Sequence, residues 1–126
     1  MSNKKNAVRK FTLDDLKPVQ QVINVPHPVH GDVNATFTLL PPQSYEYIDA
    51  YTKRVTGSAL ADLPIKEKLE ATASVPVSVM VGWNEELFGP FSKEAALSLL
   101  SDPTMHWVLF YLSSILENGN TFYKDN

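Results

Sequence analysis

The sequence predicts an α+β domain, mostly α-helical with a small N-terminal antiparallel β-hairpin. Two observations lead to it. In the first forty residues, two runs rich in β-branched and aromatic side chains bracket a cluster of turn residues. In the last third, helix start and stop signals recur at the right spacing around apolar stripes. With 126 residues, 44% apolar and 20% charged, the chain has the size and composition of one folded domain.

The elements follow in order. Residues 1–10 read as a flexible basic arm, 11–119 as a single globular domain and 120–126 as a flexible C-terminal tail. Thr12-Leu13-Asp14-Asp15 has the pattern of a capping box opening one short turn, which Pro18 stops. Residues 19–25 and 35–40 form the two strands of the hairpin, with Phe37 and Leu39 on one face and Thr36 and Thr38 on the other. Pro26, Pro28, Gly31 and Asn34 mark the long tip between them. A hairpin alone is marginal in water, so helices must cover one face. The first helix is expected over residues 43–56, with Tyr45, Ile48, Tyr51 and Val55 as its apolar stripe and Gly57 as its stop.

Asp62-Leu63-Pro64 opens a second, more polar helix to about Thr72, with Ile65, Leu69 and Ala73 as a thin stripe. Residues 74–81 fit two states. Val75, Val77, Val79 and Val81 alternate as in a strand, whereas Pro76 suits the first turn of a helix. Further on, Ser92 is an N-cap for a Leu-rich helix, and Asp102-Pro103 restarts another that ends at Asn118-Gly119.

Charge is unevenly spread along the chain. Four of the eleven basic residues, Lys4, Lys5, Arg9 and Lys10, lie in the first ten, and the remaining 116 residues carry seven basic against fourteen acidic ones. An acidic body is a poor nucleic-acid surface, because phosphate binding needs clustered Lys and Arg. No apolar run approaches the ~20 residues of a membrane span, and the polar N-terminus does not read as a secretory signal. Without cysteine there is no disulfide, thiolate metal site or cysteine nucleophile, which fits a reducing cytoplasm.

The search for chemistry ends without a catalytic set. His27-Pro28-Val29-His30 with Asp32 has a metal-like spacing, but it sits in a Pro-rich tip without further ligands. Glu85-Glu86 and Asp14-Asp15 are adjacent pairs, whose side chains diverge. There is no phosphate-binding glycine loop and no serine elbow. The expectation is no enzyme, no metal and no cofactor.

The last helix carries more large side chains than one core contact needs. Met105, Val108, Leu109, Leu112, Ile115 and Leu116 form a stripe, and Trp107, Phe110 and Tyr111 lie off it. Either the helix runs through the middle of the domain, or its outer face meets another chain. Trp107, Phe110 and Tyr111 are therefore partner-binding candidates, together with Phe122 and Tyr123 in the tail. Trp83, after Gly82, is a candidate too, although a lone Trp is more often packed in a core.

One motif is more specific. Val81-Gly82-Trp83-Asn84-Glu85-Glu86-Leu87-Phe88-Gly89-Pro90-Phe91-Ser92, followed by a Leu-rich helix, Asp102-Pro103 and an amphipathic final helix, resembles the tail assembly chaperones of long-tailed bacteriophages. The resemblance spans about residues 19–117, and the loop before Gly89 departs from the family pattern in being short and partly apolar. It implies a short, non-frameshifted product in the host cell cytoplasm. Such a protein would bind the tape measure protein, keep it soluble and help recruit tail tube subunits, as a homo-oligomer contacting neither nucleic acid nor membrane. The alternative is a structural neck or tail subunit retained in the virion.

Overall fold

The computed structural model describes residues 10–56 and 62–123. The basic arm up to residue 9, Gly57 and residues 124–126 lie outside them. The elements are β1 (Gln21–Asn24), β2 (Thr36–Leu39), α1 (Tyr45–Thr56), α2 (Ile65–Val79), β3 (Met80–Trp83), α3 (Glu85–Phe88), α4 (Lys93–Leu100) and α5 (His106–Asn118). This is an α+β fold, mostly helical, with its strands drawn chiefly from the N-terminal third.

β1 and β2 pair antiparallel with Ile23 opposite Phe37, as the alternation requires. A third strand joins them: β3 pairs antiparallel with β2, Phe37 opposite Trp83 and Leu39 opposite Met80, with an irregularity between Thr38 and Leu39. Ile23, Val25, Ala35, Phe37 and Leu39 point into the core, while Val22 is exposed on the other face. At the hairpin tip, His27 and Gly31 exchange backbone hydrogen bonds of 2.7 and 3.0 Å. Asp32 accepts from the Asn24 amide at 3.0 Å and the Asn34 N–H at 2.8 Å.

Residues 74–81 turn out to be both states in succession. α2 runs through Pro76 to Val79, and the strand begins only at Met80. The alternating valines mislead because this half of α2 is enclosed: α1, α4 and α5 all contact the helix, and Ala73, Val75, Pro76, Val77 and Val79 are all buried. A helix buried most of the way round shows no clean face. Pro76 cannot donate to the Thr72 carbonyl. The Lys93 ammonium closes the far end of the helix, donating to the carbonyls of Val77 at 2.7 Å and Ser78 at 3.1 Å. Burial pushes Lys93 below the usual lysine range, with nearby Glu46 acting in the opposite direction.

α1 departs from expectation in orientation. It starts where the sequence places it, with the Ser44 hydroxyl accepting the Tyr47 N–H at 3.3 Å. Yet Tyr45, Ile48, Tyr51 and Val55 are exposed, and Tyr47 is the buried aromatic. The helix rests on α2 by its other side, where the Arg54 guanidinium donates to the Thr72 hydroxyl at 3.3 Å. Ile65 of the thin α2 stripe is likewise exposed.

The local signals hold elsewhere. Thr12 and Asp15 form a reciprocal capping box, at 2.9 and 3.2 Å, around the turn Asp14–Leu16. Ser92 caps α4 by accepting the Ala95 N–H at 2.9 Å, and Asp102 accepts the Thr104 N–H at 2.9 Å before the turn Pro103–Met105 leads into α5. Gly119, at φ 76°, ends α5 in the left-handed conformation that glycine adopts without strain.

The expected flexible tail needs correcting. Asn120–Phe122 is a further helical turn, Phe122 is fully buried, and its carbonyl accepts the Val19 N–H at 2.7 Å. Pro18 and Tyr123 form a β-bridge. A large aromatic ring gains too much by leaving water for this segment to stay loose.

Asp32 and Asp102 make stability depend on acid. Asp32 is held below the usual carboxylate range first by the Asn24 amide and then by the Asn34 N–H. For Asp102 the cause is first the Thr104 N–H, then its hydroxyl. A carboxyl whose pKa falls on folding adds stability above its unfolded value and loses it as pH drops through the folded one. The melting temperature is therefore expected to fall below about pH 4. A scan of melting temperature against pH should show a smaller fall in the double variant Asp32→Asn, Asp102→Asn.

Candidate functional site

Among the described residues, no group of three or more histidines, aspartates or glutamates converges to hold a metal ion. The His27 and His30 rings stack at 4.8 Å, but His27 Nδ1 is occupied as an acceptor of the Val29 and His30 N–H groups, at 3.1 and 3.2 Å. The pair shapes the hairpin tip rather than presenting two free nitrogens. Between α1 and α5 lies a pocket of about 180 Å³, lined by Tyr47, Tyr51, Arg54, Thr72, Leu116 and Glu117 among others. That is smaller than the roughly 300–1,000 Å³ of typical small-molecule sites. Burial raises the Tyr47 hydroxyl above the usual tyrosine range, and Glu117 and Tyr51 add to the shift.

The six aromatic candidates separate into three groups. Trp83 and Phe122 belong to the interior. Trp83 is half-buried, donates from Nε1 to the Gly89 carbonyl at 2.8 Å, and lies against Phe88, Phe91 and Phe37 with ring centres 5.5, 5.2 and 6.3 Å away. It anchors the turn after β3 through this bond and these ring contacts. Phe122 is wholly enclosed, so it is removed from the partner-facing set. Tyr123 stands apart, partly exposed, with its hydroxyl 3.5 Å from the Gln43 amide.

The three residues of α5 form the candidate surface. Phe110 is 67% exposed, and the His106 ring stacks on it one turn earlier, at 6.2 Å. Trp107 and Tyr111, one turn apart on the neighbouring stripe, are half-buried and packed on the core. Trp107 meets the edge of His27 at 5.0 Å, which ties the hairpin tip to this surface. Exposed Val29 lies in the same tip. The sequence leaves open whether the extra aromatic residues are core or surface. Both occur: Trp107 and Tyr111 bury one side each, and Phe110 points outward.

Sequence reasoning missed the outer face of α1 as a surface. Its stripe was legible, but an amphipathic stripe ordinarily faces a core, and nothing local says that this one does not. No helix among the described residues is long and apolar enough to cross a membrane. Compared with known proteins, the chain matches no protein-family profile, no curated protein and no solved structure.

Proposed function

We propose that this protein is a tail assembly chaperone of a long-tailed bacteriophage. It acts in the host cell cytoplasm, where it binds the tape measure protein, keeps it soluble and helps recruit tail tube subunits, working as a homo-oligomer without catalysis or cofactor. The motif at residues 81–92 carries the family resemblance. The observation supporting a protein client is Phe110, exposed on α5 beside the stripe of half-buried Trp107 and Tyr111, on a chain of net charge −3. An exposed aromatic beside half-buried ones suits the apolar side of a client helix, while the acidic body favours solubility.

The test is a binding titration of the chain with soluble fragments of the tape measure protein. Phe110→Ala is expected to weaken binding about tenfold or more, as central aromatic anchors do, with an unchanged melting temperature. Tyr111→Ala should instead lower the melting temperature, because part of that ring packs on the core. A wild-type chain that binds no fragment, or that is abundant in purified virions, would remove the chaperone reading; the second result would favour a structural subunit.

A further inference from the structure

We propose that the outer face of α1 is the contact of a two-fold dimer, its occupant being a second, antiparallel copy of α1. Tyr45 is 92% exposed, Ile48 55% and Val55 54%, and with Thr52 they line one side of the helix at steps of three and four residues. Phe110, assigned above to the client, belongs to a different helix. The dimer therefore does not rest on the chaperone reading.

Charge identifies the occupant. Asp49 and Lys53 lie on one flank of the stripe, 66% and 77% exposed and 3.0 Å apart. Asp49 stands nearer the N-terminus and Lys53 nearer the C-terminus, so this flank runs from acidic to basic, while Glu46 lies further round towards Lys93. Arg54 is turned away to Thr72. A two-fold contact places the same patch on both sides and must be self-complementary. In the antiparallel arrangement, this flank faces its own copy reversed: Asp49 meets the partner's Lys53 and Lys53 meets the partner's Asp49. A parallel two-fold pair would instead set this flank against the partner's opposite flank, where Tyr51 stands and no charge answers Asp49 or Lys53. Antiparallel packing also pairs the helix ends of opposite partial charge. The apolar steps agree, with Tyr45 opposite the partner's Val55 and Ile48 opposite the partner's Thr52. One helix face per copy gives a contact at or below the small end of specific interfaces, about 1,200 Å² in total, which corresponds to a weak, reversible dimer.

Sedimentation equilibrium of the wild-type chain at up to roughly 100 µM, a range suited to so small an interface, is expected to show a dimer. Ile48→Glu should raise the dissociation constant tenfold or more and leave the monomer's melting temperature unchanged. Asp49→Lys and Lys53→Asp should each weaken self-association, and an equimolar mixture of the two variants should restore it. The chain has no cysteine, so oxidative cross-linking reads the orientation directly. Tyr45→Cys mixed with Val55→Cys should give the mixed disulfide, and Tyr45→Cys alone none. A wild-type monomer, a dimer indifferent to Ile48→Glu, or a Tyr45→Cys homodisulfide would overturn the proposal. So would a tape measure fragment bound through Ile48 by a chain that does not self-associate.

Discussion

Phe122→Ala is expected to cost about 3–5 kcal/mol, the range for removing a buried aromatic ring from a core. The ring is fully buried although it stands only four residues from the C-terminal end of the chain. The segment that carries it is fixed at both sides, by the left-handed turn at Gly119 and by the bond from Val19 to the Phe122 carbonyl. The surroundings therefore cannot easily collapse into the vacated space. At this chain length the loss corresponds to a melting temperature lower by roughly 10–20 °C. Urea unfolding of Phe122→Ala beside Tyr123→Ala is the measurement. Tyr123 is 42% exposed, and its truncation should cost under about 1 kcal/mol. Equal costs for the two variants would contradict the packed C-terminal turn.

Phe37→Ala should be comparably severe, again about 3–5 kcal/mol. Phe37 lies on the central strand, fully buried, with Phe88 at 5.1 Å and Trp83 at 6.3 Å between ring centres. Its ring supports both the sheet and the turn that runs through Trp83, Phe88 and Phe91 before α4. The void would thus loosen Trp83 as well as lower stability. In a Trp107→Phe background, where Trp83 alone reports, its fluorescence should shift to longer wavelength in Phe37→Ala. Phe37→Leu should recover much of the lost stability, since it refills most of the volume. An unshifted emission in the alanine variant would show that Trp83 is held independently of Phe37.

The legible and illegible parts of the fold divide by the range of the interactions involved. The box of Thr12 and Asp15, the caps at Ser92 and Asp102 and the stop at Gly119 each depend on residues within one turn, and each is readable from the sequence. The hairpin is readable for a related reason: alternation in β1 and β2 is a local pattern, and the turn residues between them set its limits. The candidate site is half legible. An excess of aromatic side chains on α5 is visible in the sequence, but which of them face outward is not.

The sequence by itself therefore determined the fold class, most helix boundaries and the aromatic surplus on α5. The tertiary structure alone decided that Val75, Val77 and Val79 sit on an enclosed helix, that β3 begins at Met80, that α1 turns its stripe outward, and that Phe122 is core. The physical reason is common to all four. A cap closes a hydrogen bond among neighbours in the chain, whereas burial of an apolar side chain depends on what distant segments place against it. α2 is enclosed because α1, α4 and α5 converge on it, α1 keeps its stripe exposed because it meets α2 through its other side, and Phe122 is core because Val19, about a hundred residues earlier, lies beside it.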